Sequence, residues 1–190
     1  TRPGPIAFGA GSIWVGNLGD DRTVTRIDSN RRTVLRDIPL DGRTPTGLAF
    51  GFRALWVAHG RRGQVSSIDP QFNEPSEPID VAGTAFGSPN GSVTIGEDAV
   101  WAAFGDGTLA RIEPVSGRVE KARAGVDPAG IVVGSGSVWK TSSTACRMCP
   151  AFNAAKSSAS ITCAPRARLT TLAPCGSAAN KLASIRPLVS

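Results

Sequence analysis

The sequence predicts an all-β fold built from repeated four-stranded units, and three observations predict it. Trp occurs four times, at 14, 56, 101 and 139, so its spacings are 42, 45 and 38 residues. Between these residues apolar and polar side chains alternate with period two, the pattern of strands buried on one face. Gly and Pro number 22 and 14, which favours many turns over long helices.

The repeat extends beyond Trp. The first copy reads Pro3-Gly-Pro-Ile-Ala-Phe-Gly-Ala-Gly-Ser-Ile-Trp14, and the second reads Pro45-Thr-Gly-Leu-Ala-Phe-Gly-Phe-Arg-Ala-Leu-Trp56. The third, Pro89 to Trp101, is one residue longer, and the fourth runs from Pro128 to Trp139. A second phrase follows each of the first three Trp residues: Thr23-Val-Thr-Arg-Ile-Asp28, Gln64-Val-Ser-Ser-Ile-Asp69 and Thr108-Leu-Ala-Arg-Ile-Glu113.

The elements of the first unit follow in order. Strands are expected at 6–9, 12–16, 23–28 and 33–39, the third because Val24 and Arg26 alternate with Thr25 and Ile27. Gly9-Ala-Gly-Ser12 supplies the first hairpin turn and Gly19-Asp-Asp21 the second, a place that Gly105-Asp-Gly107 takes in the third unit. Asp69-Pro70 and Glu113-Pro114 mark the third turn, with Pro setting φ at its second position. Asp28, Asp69 and Glu113 are read as turn acceptors rather than metal ligands.

Four antiparallel strands in units of about 42 residues is the arithmetic of β-propeller blades. The expected architecture is a partial β-propeller of about 3.5 blades with an irregular C-terminal tail. Its blades span about 3–44, 45–88 and 89–127, with a partial blade at 128–140, so the incomplete propeller occupies 3–140. The recurring Phe-Gly-x-x-x-(Ile/Leu/Val)-Trp and Val-x-x-Ile-Asp phrases resemble the YVTN-type repeats, the group that also contains virginiamycin B lyase. That resemblance covers residues 3–139. It implies a non-catalytic binding or sensing module for a small molecule or protein, part of a larger bacterial protein such as a regulator, solute-binding protein or kinase. Two alternatives stand beside it: a lyase using a metal ion and a His base, and a structural scaffold.

Trp14, Trp56, Trp101 and Trp139 are read as structural staples, because a residue repeated in every blade serves packing and a site breaks the symmetry. The position three residues after each Trp does break it, carrying Asn17, His59, Phe104 and Ser142. Asn17, His59 and Phe104 are therefore the candidate ligand-binding residues at the channel mouth. No catalytic set, metal site or cofactor is implied, and His59 is the single His.

The net charge of +6 suggests nucleic acid until it is located. Residues 1–139 hold 14 Lys and Arg against 15 Asp and Glu, whereas residues 140–190 hold 7 Lys and Arg and no acid. The propeller part is not expected to bind nucleic acid. No apolar run reaches the roughly 20 residues of a membrane span. A chain starting at Thr1 is expected to belong to a longer protein that supplies the remaining blades and an upstream domain. Its compartment, inside or outside the cell, is left open, since residues 1–139 lack Cys.

Residues 141–190 carry no repeat. Cys146, Cys149, Cys163 and Cys175 all fall there, and Gly176 is the only Gly. A shifted reading frame is the favoured explanation of this acid-poor text. A disordered tail and a disulfide-stapled end are the alternatives. A zinc module on Cys146 and Cys149 lacks a matching second pair.

Overall fold

The computed structural model describes residues 2–82, 90–123, 128–134, 136–142 and 145–153. Within them the chain is a β-propeller segment of four successive antiparallel sheets. Blade 1 holds β1 (Pro3–Gly9), β2 (Ser12–Asn17), β3 (Thr23–Asp28) and β4 (Val34–Pro39). Blade 2 holds β5 (Gly47–Gly51), β6 (Ala54–His59) and β7 (Gln64–Asp69). Its outer strand is broken into β8 (Glu74–Pro75) and β9 (Ile79–Asp80), both paired with β7. Blade 3 holds β10 (Gly91–Gly96), β11 (Ala99–Phe104), β12 (Thr108–Ile112) and β13 (Val119–Arg123). Blade 4 holds β14 (Pro128–Gly134), β15 (Ser137–Ser142) and β16 (Ala145–Asn153).

The expected strands of the first unit are present, with β1 starting earlier, at Pro3. Beyond residue 140 the sheet continues: β16 pairs with β15 although it carries no repeat phrase. Cys146 and Cys149 fall on that strand. Cys163 and Cys175, with the rest of the tail from residue 154, lie outside the described residues, as does Pro89. Among the described residues no helix is long and apolar enough to cross a membrane.

The hairpins close because both central turn residues take the left-handed conformation that a tight two-residue hairpin needs. Ala10 and Gly11 do so in blade 1 (φ 50° and 66°), Phe52 and Arg53 in blade 2 (51° and 63°), and Glu97 and Asp98 in blade 3 (50° and 53°). The acid that ends the third strand holds the next turn. Asp28 Oδ1 accepts from the backbone N–H groups of Asn30 and Arg31, both at 2.8 Å. The Arg31 and then the Asn30 N–H keep its pKa below the usual carboxylate range. Asp69 Oδ1 accepts from the Gln71 N–H at 2.6 Å, and Glu113 Oε2 from the Ser116 hydroxyl at 2.6 Å.

Each core lies between blades rather than within one. Because strand side chains alternate, one face of blade 1 (Trp14, Val24, Ile38) meets the opposite face of blade 2 (Leu55, Val57, Ile68). Trp56, Ala58 and Val65 of blade 2 likewise meet Val93, Val100 and Ile112 of blade 3. Trp101 and Leu109 of blade 3 meet Val138 of blade 4. The three internal Trp residues are 0%, 4% and 1% exposed, and burying so large a ring removes about 150–250 Å² from water.

A second contact repeats with them. Each Trp indole Nε1 donates to the carbonyl of the glycine that ends the blade's first strand: Trp14 to Gly9 at 3.1 Å, Trp56 to Gly51 at 3.2 Å and Trp101 to Gly96 at 3.0 Å. That same glycine is a socket for the next blade. A Cβ on Gly9 would lie 2.0 Å from the Phe50 ring, one on Gly51 2.7 Å from Ile95, and one on Gly96 2.7 Å from Val133. The knob in every case is the residue just before the next blade's own socket glycine. In the first joint Phe50 also stacks on Trp14, centroids 6.5 Å apart. Arg26 covers that Trp at 4.8 Å and reaches across to Asn73 Oδ1 at 2.7 Å.

Two substitutions test this account. Gly51→Ala forces its methyl against Ile95 and is expected to lower unfolding free energy by about 1–3 kcal/mol, read by urea titration. Arg53→Gly relieves a left-handed non-glycine residue and is expected to raise it by about 1 kcal/mol.

Candidate functional site

Asn17, His59 and Phe104 end β2, β6 and β11, so they stand at one end of the blades. Alternation from Trp places each on the face opposite that ring. Asn17 Nδ2 donates to the Thr23 and Thr25 hydroxyls, both at 2.9 Å. Phe104 is buried in the core shared by blades 2 and 3. His59 is 1% exposed, and its Nε2 lies 2.8 Å from Ser66 Oγ. Its Nδ1 is buried. Ser142, the fourth member of this series, is the last residue of β15.

At this end a cleft of about 660 Å³ opens among loops of three blades, within the range of ~300–1,000 Å³ usual for small-molecule sites. Leu18, Gly19, Asp20 and Arg22 of the β2–β3 loop line one side, with Arg2 beside them. Thr44 and Thr46 lead into β5 on another side, and His59 with Arg61 and Arg62 of the following 3-10 turn forms a third. Asn90 and Gly91 of blade 3 complete it.

The loops are held from below. The Leu18 N–H donates to the Arg2 carbonyl at 2.7 Å. Thr46 Oγ1 donates to the Ala58 carbonyl at 3.0 Å and accepts from the Gly60 N–H at 2.9 Å, so it pins the 3-10 turn. Gly63 ends that turn in the left-handed conformation. Blades 2 and 3 touch here backbone to backbone, since a Cβ on Gly91 would lie 2.7 Å from the Gly60 Cα.

Among the described residues that line the cleft are four arginines, Arg2, Arg22, Arg61 and Arg62, and one acid, Asp20. Arg22 Nη1 donates to the Gly42 carbonyl at 2.6 Å, which orients the group and leaves its other donors. His59 adds no charge at neutral pH. Burial pushes its pKa down to about 4; the Thr44 backbone opposes the shift, while the Arg43 and Arg62 charges add to it. Among the described residues no three His, Cys, Asp or Glu side chains gather as a metal site would need.

The sequence reading passed over these arginines. Arg22 lies in the β2–β3 loop and Arg61-Arg62 in the β6–β7 loop, and the signal was there: both loops carry basic residues where no phrase recurs in every unit.

No protein-family profile matches the chain, and no curated protein does. Solved structures do match. Hydrazine synthase of Kuenenia stuttgartiensis superposes with a TM-score of 0.61 at 16% identity, covering 77% of this chain and 44% of that one. Virginiamycin B lyase of Staphylococcus aureus superposes with a TM-score of 0.61 at 15% identity, covering 74% of this chain and 48% of the lyase. The computationally designed Ika4 protein gives 0.60 at 16% identity, covering 76% of this chain and 87% of that one. The chain thus spans about half the length of the first two. At these identities the likeness is one of fold, the β-propeller.

Because His59 is neutral when folded and protonates when unfolded, the unfolded chain binds the extra proton between its ordinary pKa and about 4. Stability is expected to be full above pH ~6.5 and to fall by roughly 3 kcal/mol as pH drops toward 4. Denaturant titrations across this range should show a shallower slope in His59→Gln. An unchanged slope would refute the assignment.

Proposed function

We propose that this propeller segment is a non-catalytic binding module whose cleft takes a small anionic ligand carrying a carboxylate or phosphate group. The observation that carries this reading is the convergence of Arg2, Arg22, Arg61 and Arg62 on one cleft, with Asp20 the one acid among its described lining residues. Guanidinium presents paired donors that match both oxyanions, and a concave, loop-lined site strengthens the local field. Thr44, Thr46 and Asn90 stand beside them as polar groups of the kind that fix a ligand's orientation.

A lyase reaction through a His base has less support. His59 is buried, its Nε2 is engaged by Ser66 and its Nδ1 is enclosed, so the ring lacks the reach a general base requires. A pure scaffold would give the cleft no ligand at all.

Calorimetric titration with inorganic phosphate and with citrate tests the proposal. Saturable binding that weakens with salt is expected. Arg61→Ala with Arg62→Ala should weaken it about tenfold or more, since a hydrogen bond to a charged group contributes about 1.5–3 kcal/mol. Absence of saturable binding by every anion tried, with the variant indistinguishable from the parent, returns the segment to the scaffold reading.

A further inference from the structure

The arginines of the cleft come from corresponding loops of two neighbouring blades. Blade 1 carries Arg22 in its β2–β3 loop, and blade 2 carries Arg61 and Arg62 in its β6–β7 loop. In blade 3 the same place reads Gly105-Asp106-Gly107, and Asp106 closes on Thr108, accepting from its N–H and its hydroxyl, both at 2.8 Å. The segment 40–46 joins blade 1 to blade 2 and brings hydroxyl groups to the cleft through Thr44 and Thr46. Its own Arg43 is held by Asp41 at 3.3 Å and by the Leu40 carbonyl at 3.4 Å.

Both basic loops are anchored by backbone bonds. The Arg22 N–H donates to the Gly19 carbonyl at 3.3 Å, and the Arg22 carbonyl accepts from the Leu40 N–H at 3.2 Å. On blade 2, the Gly63 carbonyl at the end of the 3-10 turn accepts from the Val81 and Ala82 N–H groups at 2.9 and 2.8 Å. The core between blades 1 and 2 is built from residues of those blades and their connector. The separation of the two loops therefore follows from contacts that the chain itself makes.

We propose that the ligand is a small dianion of the dicarboxylate kind, with one anionic group held by Arg22 of blade 1 and the other by Arg61 and Arg62 of blade 2. This inference rests on the anion-binding reading of the cleft and adds the number and spacing of the charges. A volume of about 660 Å³ suits a small organic molecule rather than a lone oxyanion. Asp20 lines the blade 1 side and offsets part of its positive charge, so the Arg61-Arg62 side supplies the stronger hold. Once one group is bound, the second is presented to its partner at high effective concentration, provided that the span matches. Loops fixed in advance reward the matching length, because little ordering remains to be done on binding.

The experiment is calorimetric titration of the full chain with malonate, succinate, glutarate and adipate, which share their charge and differ in length, beside acetate and inorganic phosphate. One length is expected to be favoured, by about tenfold or more over acetate and by several-fold over the other dicarboxylates. Arg22→Ala should flatten the series to within about threefold, while phosphate still binds through Arg61 and Arg62. Arg61→Ala with Arg62→Ala should flatten it too and lower every affinity further. Equal affinity across the series in the parent, with saturable phosphate binding, overturns the two-group ligand and leaves the anion-binding cleft standing. Absence of binding by phosphate and by every dicarboxylate removes both. A length preference that survives Arg22→Ala, in a variant with an unchanged far-ultraviolet circular dichroism spectrum, overturns the assignment to blade 1. The series on the parent decides the main point without any variant.

Discussion

The structure depends on one joint: an indole that hydrogen-bonds the carbonyl of a glycine while the next blade's apolar residue occupies the space that glycine leaves. The indole N–H needs a partner once it is buried, and the Gly9, Gly51 and Gly96 carbonyls provide it at 3.0–3.2 Å. The same bond holds the socket's backbone in place. Knob, socket and staple therefore position one another, and a four-stranded sheet with two apolar faces acquires a fixed neighbour and a fixed angle. Nothing within a single blade does this, because each core is made of residues from two.

The site inherits its geometry from these joints. Arg2 and Arg22 belong to blade 1, Arg61 and Arg62 to blade 2, and Gly91 to blade 3. Three loops of unrelated sequence converge because the strands that carry them are locked side by side. The close approach of Gly60 and Gly91 leaves no side chain between the second and third loops. His59 ends its strand buried against Ser66, and the two arginines that follow line the cleft beside it. A neutral ring beside charged neighbours fits that division, since protonating it would bury a charge next to Arg43 and Arg62.

Much of the fold was legible because a repeat states the same structural need several times. The Trp register, the strand alternation in Thr23–Asp28 and the acid that begins each third turn all recur, and each maps onto an observed strand or hydrogen bond. The glycine socket was visible as letters but not as a contact, since its partner sits a blade away and no local pattern links Gly51 to Ile95. The left-handed Phe52-Arg53 and Glu97-Asp98 turns were also illegible, because neither pair holds the Gly that such a hairpin turn usually carries. Strand β16 gave no signal either. Its residues carry no repeat phrase, and what pairs them with β15 is backbone hydrogen bonding, which every residue but Pro can offer. The position three residues after each Trp varies from blade to blade, and it stands at the blade end that carries the cleft. The four arginines around it lie in loops, where the repeat imposes nothing.

The broken outer strand of blade 2 shows how little of each unit the architecture constrains. β8 and β9 interrupt the outer edge, farthest from the knobs and sockets, yet the joints on both sides of that blade remain intact. Tolerance is thus graded along a radius: the inner strand is nearly fixed in size and shape, and the rim is free to vary. A lineage built on such a unit can lengthen, shorten or rewrite its circumference, and can add units by duplication, while the hub preserves one rule of assembly. Divergence in such a chain is expected to accumulate from the rim inward.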